Sequence, residues 1–380
     1  MSTRRVPARS GRPGRTPEVL LVVEQLRRRV PGGIGTYVAG LLAGLAALAP
    51  EAPSVALLAS RPASEPDPLE RFGFPVVASS LPGRLLTRAW ARGLGRERVG
   101  AGVVHATSLA VPPTDRPLVV TVHDLAWRAL PAAFPRRGRR WHEAALRRAA
   151  RRAARLVVPS EAVRDALLDA GLGLEPADVA VVEEGADHLP PPDRPAAAAL
   201  LGRLGVRGPY LLSAGTLEPR KNLARLVRAY GAVRDLLPEP WPLVVAGPAG
   251  WGRGVPPAPG VVLAGRVDDA VLAALYEGAR LFCYVPLLEG FGLPVVEAMR
   301  AGTPVVASPV PAAGGAAHLV DPLDVEAIAE GLRAVALDEA LRRRLVEAGR
   351  SRVAGLTWRS AAAAHVAQWE AVRARGTRGR

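Results

Sequence analysis

The chain has 380 residues, of which 49% are hydrophobic and 22% charged, and its 50 Lys and Arg exceed its 35 Asp and Glu by 15 charges. This length predicts two or three domains, and the composition excludes an intrinsically disordered protein. The single cysteine, Cys283, excludes a disulfide framework and a structural zinc site, and it indicates a reducing compartment. No apolar run approaches the roughly 20 residues of a membrane-spanning helix, and no signal-peptide core follows the basic N-terminus, so we expect a cytoplasmic protein.

Short apolar runs alternate with helical patterns along the first half of the chain. They read in order as strand EVLLVVE, loop PGGIG, helix TYVAGLLAGLAALA and the strands SVALLAS, FPVVAS, GVVHAT, PLVVTVHD, RLVVPS and VAVVEEG, with helices between several of them. Apolar strands without polar alternation are buried on both faces, which is typical of a parallel sheet covered by helices. The pattern predicts a doubly wound α/β domain.

The proline-rich stretch PPPDRP is the best linker candidate, because the same alternation restarts after it. We therefore predict two Rossmann-like, parallel-sheet domains that face each other across a cleft, with ligands outside the carboxyl ends of the strands. The expected segments are a disordered basic arm (1–16), an N-terminal Rossmann-like domain (17–188), a linker (189–206), a C-terminal Rossmann-like domain (207–356), a last helix (357–373) and a disordered tail (374–380).

Three segments carry much of the positive charge, namely the N-terminal arm, residues 136–155 and the C-terminal tail. Such charge attracts nucleic acids, anionic membranes and phosphorylated ligands alike, and a terminal arm or a solvated helix face explains each segment taken singly. We expect no nucleic-acid partner. The arginines around an Ala/Leu stripe in 136–155 suit either a peripheral contact with the anionic inner face of the membrane or a solvated helix that packs its stripe on the sheet.

Glu289 and Glu297 stand on either side of the segment GFGLP, just beyond the predicted buried strand RLFCYVP. The glycines allow a backbone to come close, and the N–H groups at a helix start point towards a phosphate placed there. Carboxylates accept hydrogen bonds from sugar hydroxyls, so the segment predicts a nucleotide-sugar site. For Glu297 alone, an acid that complements the helix dipole is the alternative. The other candidate binding residues of this segment are Phe291, Gly292 and Leu293.

Lysine and asparagine each occur once, as the neighbours Lys221 and Asn222, in a chain that uses arginine everywhere else. The pair lies in SAGTLEPRKNL, with Gly215 in the turn after a strand and with Arg220, Lys221 and Asn222 opening the next predicted helix. Cations at a helix N-terminus oppose the macrodipole, and a bound diphosphate would reverse the sign of that cost. The segment is not a Walker loop, because Gly-Lys-Ser/Thr is absent.

Two segments in the first half of the chain contain candidate site residues just after predicted strands. The stretch PGGIGTYVAG places Gly33 and Gly35 between a strand and a helix, although the spacing is not that of a dinucleotide loop. The stretch VVTVHDLAW places His123 at the carboxyl end of a strand, and VHATS places His105 similarly. A structural role is the alternative for both histidines, and we rank His123 above His105.

Together these motifs resemble glycosyltransferase family 4, from about Val19 to Val372. EGFGLPVVEA is similar to the family's Glu-x7-Glu motif, GTLEPRKN to its phosphate-binding segment, and GGIGTY, VTVHDL and VVPSEAVRDAL to its N-domain signatures. The resemblance implies the GT-B fold, in which the last helix, from Trp358, crosses back onto the first domain. It also implies a retaining hexosyltransferase that uses a nucleotide-diphosphate sugar.

The resemblance assigns roles to the residues of the second domain. Glu297 would bind the ribose hydroxyls, and Glu289 would contact the donor sugar near its reacting face. Arg220 and Lys221 would neutralise the diphosphate leaving group, which is electrostatic catalysis. No metal or cofactor is expected besides the GDP-sugar or UDP-sugar donor, because this pair replaces the cation.

In the first domain, the resemblance implies that the loop with Gly33 and Gly35 closes over the donor and that His123 lies near the sugar's C6 hydroxyl. GIGTY and VHDL lean towards the mannosyltransferase-like members, which use GDP-mannose. The acceptor stays open among a polyprenyl-linked glycan, a glycolipid and a small metabolite.

The chain departs from the family pattern in two places. After TPVVAS the segment PVPAAGGAAHLV is short and lacks the usual glutamate, and EEG stands at 183–185 where Pro-Asn-Gly or Pro-His-Gly is usual. The shortened segment after Ser308 leaves a degenerate nucleotide-sugar-binding protein as one alternative, and a nucleotide-sugar epimerase of the GT-B fold is a second. The Arg–Lys pair favours the transferase.

Overall fold

The computed structural model describes residues 16–28, 30–63, 66–95, 102–252 and 254–378. The chain divides into two compact units, unit 1 (Met1–Gly185 and Trp358–Arg380) and unit 2 (Ala186–Thr357). Each unit contains one parallel sheet with α-helices between several of its successive strands, which confirms the predicted two-domain α/β architecture. In the described part of the chain, no helix combines the length and the apolarity needed to cross a bilayer.

The sheet of unit 1 is parallel and has the strand order β3-β2-β1-β4-β5-β6-β7. Its strands are β1 (Val19–Val22), β2 (Val55–Ala59), β3 (Val76–Ala78), β4 (Val103–Ala106), β5 (Leu118–Thr121), β6 (Arg155–Val158) and β7 (Val179–Val181). Its helices are α1 (Gly32–Ala47), α2 (Gly83–Ala91), α3 (Ala126–Ala129), α4 (Arg136–Arg152), α5 (Glu161–Leu168) and α12 (Trp358–Arg378). The four central strands β1, β2, β4 and β5 are buried throughout, as their apolar runs predict.

The sheet of unit 2 is also parallel and has the order β10-β9-β8-β11-β12-β13. Its strands are β8 (Leu211–Ala214), β9 (Leu243–Ala246), β10 (Val261–Gly265), β11 (Leu281–Tyr284), β12 (Val305–Ala307) and β13 (His318–Leu319). Its helices are α6 (Arg194–Arg203), α7 (Leu223–Val233), α8 (Asp269–Gly278), α9 (Leu293–Arg300), α10 (Val325–Leu337) and α11 (Glu339–Val353). Because β8 and β11 are neighbours, the loops that follow them lie side by side.

Several helix starts follow directly from local chemistry. A short polar side chain at the N-cap accepts a hydrogen bond from the N–H three residues on, which satisfies a donor that the helix itself leaves open. The caps of this kind are Ser160 before α5, Asp193 before α6, Asp324 before α10 and Asp338 before α11.

The last helix, α12, packs against α1 within unit 1. A Cβ added at Gly40 would collide with the Trp358 indole, and one added at Gly44 would collide with the Trp358 carbonyl oxygen. Gly40 and Gly44 lie one turn apart on α1, so they form the flat strip that admits α12. This packing confirms that the C-terminal helix returns to the first domain.

The structure corrects three local predictions. Helix α1 begins at Gly32 rather than after the glycines, because Pro31 already has a helical backbone and accepts a hydrogen bond from the Gly35 N–H at 3.2 Å. Arg220 and Lys221 lie in a short 3-10 turn before α7, which begins only at Leu223.

Helix α12 also continues to Arg378, so the predicted tail is helical from 374 to 378. The predicted N-terminal arm lies outside the described residues except for Thr16, and so do the last two residues of the chain.

Candidate active site

The two cations that the sequence singled out are paired with two carboxylates in unit 2. The Lys221 Nζ lies 2.7 Å from Glu289 Oε1 and 2.6 Å from the Tyr284 hydroxyl. The Arg220 Nη1 lies 2.9 Å from the same Glu289 oxygen, while Arg220 Nε and Nη2 donate to Glu218 Oε1 at 3.1 and 2.8 Å. The four charged side chains are at most 15% exposed. Their formal charges cancel, so the cluster is preorganised without a ligand.

Sheet topology explains how residues almost 70 positions apart meet. The turn with Arg220 and Lys221 follows β8, and Glu289 follows β11, the strand beside β8. The Leu287 N–H donates to the Arg220 carbonyl at 2.9 Å, and Arg220 Nη1 donates to the Leu288 carbonyl at 2.9 Å. These bonds tie the two loops together at the carboxyl edge of the sheet, where ligands of such sheets bind.

Asn222 has a structural task at this edge. It is the only non-glycine residue in the described part of the chain with a left-handed backbone, at φ 59°. Its Nδ2 donates to the carbonyls of Val285 and Pro322 at 3.0 and 2.7 Å, and its Oδ1 accepts from Arg225 Nη1 at 2.9 Å. Asparagine tolerates this conformation and supplies two donors, which aspartate and serine do not. The single asparagine is therefore explained by the fold.

The cations determine the ionisation of Glu289. Burial opposes its charged form, but Lys221 and Arg220 together hold the pKa of Glu289 below its usual value. Burial and the Glu289 charge raise the pKa of Tyr284 well above its usual value, so its hydroxyl stays protonated. The Lys221 ammonium also lies 5.0 Å from the centre of the Tyr284 ring, within the range of a cation–π interaction.

Glu297 lies on α9 and forms a separate polar group from Glu289. Its Oε1 lies 2.9 Å from His188 Nε2, and its Oε2 accepts from the Tyr276 hydroxyl at 2.8 Å. Burial, followed by the Glu297 charge, raises the pKa of Tyr276 well above its usual value, so the tyrosine acts as a donor. Both carboxylate oxygens are thus held by a side-chain donor.

In unit 1, His123 lies just beyond β5, hydrogen-bonded to the Thr107 carbonyl and near the Glu184 carboxylate. Its Nε2 lies 2.9 Å from the Thr107 carbonyl, and because a carbonyl only accepts, Nε2 carries a proton. Its Nδ1 lies 3.7 Å from the buried Glu184 carboxylate. The Tyr37 ring meets the His123 ring edge-on, with centroids 4.8 Å apart. Glu184 is the middle residue of the unusual EEG segment, so this departure from the family pattern places a carboxylate against His123.

His105 has a structural role in unit 1, where it belongs to a buried chain of hydrogen bonds. Trp369 Nε1 donates to His105 Nδ1 at 3.2 Å, and His105 Nε2 lies 2.9 Å from the Thr121 hydroxyl. The Tyr37 hydroxyl lies 3.0 Å from both Thr121 Oγ1 and His365 Nε2. Burial lowers the pKa of His105 well below its usual value and that of His365 to about 3, so both rings are neutral.

The predicted glycines have different uses. Gly215 and Gly292 have left-handed backbones, at φ 137° and 112°, which a side chain would strain. A Cβ at Gly35 would collide with Pro31, whereas Gly33 has open space around it. Phe291 and Leu293 are buried, and the Phe291 carbonyl accepts from the Ala312 N–H at 2.9 Å, so the shortened segment after Ser308 braces the loop.

The predicted site residues are therefore divided between the two units, and within unit 2 Glu297 lies in a polar group of its own. Unit 2 brings Arg220, Lys221 and Glu289 together, with Gly215 beside Lys221, and unit 1 holds His123, Gly33 and Gly35.

Sequence reasoning missed Glu218, Tyr284, Tyr276, His188 and Glu184. The position of Glu218 and Tyr284 beside the motifs was the available signal, whereas no pattern links His188 to Glu297. Among the described residues, no group of three or more His, Cys, Asp or Glu is placed to hold a metal ion.

The two parallel-sheet units define a two-domain protein of the GT-B fold, and solved structures support this fold. A sucrose-phosphate synthase from Thermosynechococcus elongatus matches with a TM-score of 0.72 at 20% identity, over 94% of this chain and 99% of that one. The Anabaena protein HepE in complex with UDP and glucose matches with a TM-score of 0.69 at 18% identity, over 93% and 100%. Likeness at this identity shows the fold alone.

Sequence comparison identifies the family. The family described as Glycosyltransferase Family 4 matches residues 31–188, and Glycosyl transferases group 1 matches residues 203–352. The O-antigen chain mannosyltransferase B of Escherichia coli is 29% identical over 273 residues, 67% of this chain and 71% of that protein. The phosphatidyl-myo-inositol mannosyltransferase of Mycobacterium tuberculosis is 36% identical over 199 residues, 48% of this chain and about half (52%) of that protein. The chain belongs to glycosyltransferase family 4 and is a glycosyltransferase.

Proposed function

We propose that this glycosyltransferase moves a hexose, with mannose favoured, from a nucleotide-diphosphate sugar to a glycan, lipid-linked or small-molecule acceptor. The observation that carries the proposal is the half-buried Arg220–Lys221 pair at the carboxyl edge of the unit 2 sheet, held by Glu289 and Glu218. Two adjacent cations on one fixed turn match the charge of a diphosphate. The mannosyltransferase names of the sequence relatives support the choice of sugar.

The proposed chemistry depends on the leaving group. The bond between the sugar's anomeric carbon and the diphosphate oxygen breaks, and its electron pair stays on the diphosphate. The acceptor oxygen bonds to the same face of the sugar, and its hydroxyl proton passes to the departing diphosphate. Charge builds up on the diphosphate in the transition state, so Arg220 and Lys221 stabilise that state more than the ground state.

Glu289 has two tasks in this scheme. Without a ligand it holds both cations, since its Oε1 lies 2.7 Å from Lys221 Nζ and 2.9 Å from Arg220 Nη1. When the diphosphate takes over part of these contacts, the carboxylate becomes available to the donor sugar. Glu297 is the proposed ribose-binding residue, and His123 is the proposed contact of the sugar in unit 1.

A donor panel tests the proposal. The protein is incubated with radiolabelled GDP-mannose, GDP-fucose, UDP-glucose, UDP-galactose and UDP-N-acetylglucosamine, with and without polyprenyl-phosphate, glycolipid and simple sugar acceptors. Transfer of label from GDP-mannose, abolished in Lys221→Ala, is the expected result. Conversion of the donor to an epimer indicates an epimerase. Binding without transfer or hydrolysis indicates a degenerate binding protein, and transfer from a UDP-hexose alone overturns the choice of mannose.

We also propose that α4 brings the enzyme to an anionic membrane surface. Its apolar stripe, with Ala145 and Leu146, packs into the core of unit 1, so the stripe is not available for insertion. The exposed residues include Arg136, Arg137 and Arg140, which support an electrostatic contact.

Liposome co-sedimentation checks this contact. We expect binding to anionic but not to neutral vesicles, weaker at physiological than at low salt, and reduced in Arg137→Gln/Arg140→Gln. The control Arg343→Gln/Arg344→Gln removes the same charge from exposed positions of α11. Absence of binding to anionic vesicles at low salt, or equal loss in both variants, would leave α4 as a solvated helix.

A further inference from the structure

We propose that His188 is a positioning residue that aims the Glu297 carboxylate at the ribose of the donor, and so makes the site selective for ribonucleotides over 2′-deoxyribonucleotides. The inference rests on the proposed function, because it needs a nucleotide in unit 2. It adds a residue that lies outside the sequence motifs, since His188 is 109 positions from Glu297.

The hydrogen bonds around Glu297 have a defined direction. An ionised carboxylate only accepts, so the 2.9 Å contact with His188 is a bond donated by its Nε2–H. The Tyr276 hydroxyl donates to the other oxygen at 2.8 Å. Two donors on opposite oxygens fix both the position and the rotation of the carboxylate plane, which a single donor would leave free to turn.

The remaining acceptor capacity of Glu297 matches a vicinal diol. A carboxylate has about four lone-pair sites, two on each oxygen. His188 and Tyr276 take one on each oxygen, which leaves one on each. The 2′ and 3′ hydroxyls of a ribose are neighbouring donors that two such sites can accept together. A 2′-deoxyribose leaves one of the sites without a partner, and an unsatisfied buried acceptor is costly.

The surroundings of His188 hold it in place and still allow access. The Ala186 N–H, two residues earlier, donates to the Leu356 carbonyl at 3.0 Å and anchors the segment. The side chains of His188 and Glu297 are 14% and 9% exposed, so the pair is dry enough for strong bonds but not sealed. Tyr276 is fully buried and cannot itself touch a ligand.

The test compares ribose and deoxyribose nucleotides within each variant. Calorimetry measures the affinity of wild type, His188→Ala, His188→Gln and the control His318→Ala for GDP, 2′-deoxy-GDP, UDP and 2′-deoxy-UDP. His318 is the half-buried histidine of β13 in the same unit. Because the ratio of the two affinities is taken within one variant, a general loss of folded protein does not change it.

We expect the wild type and His318→Ala to prefer the ribonucleotide about 10- to 100-fold, the value of one hydrogen bond to a charged group. The preference should fall below about threefold in His188→Ala, and it should return in His188→Gln, whose amide can donate to the same oxygen. An unchanged preference in His188→Ala, or an equal loss for both nucleotides, overturns the inference alone. A wild type that binds none of the four nucleotides overturns the proposed function as well.

Discussion

The polar clusters of unit 2 and unit 1 differ in how their side chains are stabilised away from water. At the edge of the unit 2 sheet, Arg220 and Lys221 remain charged, and Glu218 and Glu289 supply the opposite charge. In unit 1, the chain from Trp369 through His105, Thr121 and Tyr37 to His365 consists of neutral groups alone.

The difference lies in how far water is excluded. The charged side chains of unit 2 retain 5 to 15% exposure, whereas His105 and His365 have none. Removing an ion from water costs several kcal/mol, so it persists only with close counter-charges. A completely buried histidine is therefore neutral and serves as a hydrogen-bonding group of the core. The partly exposed cations of unit 2 stay charged beside their carboxylates and can bind an anionic ligand.

The largest expected effect is at Lys221. Lys221→Ala should lower turnover about 100- to 1,000-fold, the usual cost of removing one preorganised donor from a developing negative charge. Lys221→Arg should fold normally and lose about 10- to 100-fold, because a planar guanidinium beside Arg220 cannot reproduce the compact ammonium. Steady-state kinetics beside a thermal melt measures both. Wild-type turnover in Lys221→Arg would mean that any cation suffices in the charged cluster.

A second test separates side-chain bonds from backbone strain at Asn222. Asn222→Gly keeps the left-handed backbone but leaves the carbonyls of Val285 and Pro322 without these donors. We expect it to lower the stability of unit 2 by about 1 to 3 kcal/mol. Asn222→Ala should cost about 1 to 2 kcal/mol more, through strain at φ 59°. Urea unfolding measures both, and equal stability of all three proteins would remove the structural explanation of the lone asparagine.

The third test asks whether the Glu289 charge serves binding or turnover. Glu289→Gln removes the counter-charge of Arg220 and Lys221, so the affinity for a free nucleoside diphosphate should stay the same or rise. Turnover should fall about 10- to 100-fold, because a contact near the breaking bond acts in the transition state. Calorimetry and kinetics on the same preparation separate the two effects. Weaker nucleotide binding with unchanged turnover would contradict the assignment.

The fourth test uses pH to probe the neutral network. Burial, with a smaller effect of His123, lowers the pKa of His365 to about 3. As pH falls below about 6.5, the His365 imidazole is therefore protonated in the unfolded chain but stays neutral in the folded chain. Unit 1 should therefore lose stability as pH falls, and His365 should contribute about 1.4 kcal/mol per pH unit between roughly pH 6 and 4.

Hydrogen exchange of the amides of β4 and β5 reports the stability of unit 1 separately from that of unit 2. The variant His365→Gln retains polar groups but cannot titrate, so its dependence on pH should be shallower by that amount. Equal slopes in wild type and variant would show that His365 accepts its proton in the folded state.

The smallest expected effect is that of a chelator. If the Arg220–Lys221 pair supplies the charge for the diphosphate, turnover should change by less than about twofold in excess EDTA. Kinetics before and after chelation, with manganese or magnesium added back, measures this. A collapse restored by either metal would show that the cations of unit 2 are not sufficient.

The sequence by itself determined the architecture and the charged half of the site. Strands such as β8 and β11 could be predicted because burial on both faces leaves an apolar run without polar alternation. The Glu-x7-Glu and EPRKN segments follow such strands, and a parallel sheet places the carboxyl ends of its strands at one edge. The single Lys–Asn pair also pointed to this edge, although only one of its two residues has a predicted catalytic task.

Tertiary structure alone decided which partners these residues have. Nothing local indicates that His188 bonds to Glu297, that Glu184 faces His123 or that Trp369 fixes the tautomer of His105, because each contact joins elements far apart in the chain. It also decided the ionisation of buried groups, since complete burial keeps the imidazoles of His105 and His365 neutral. Residue type determines which groups can donate, accept or ionise, and packing determines their partners and their protonation states.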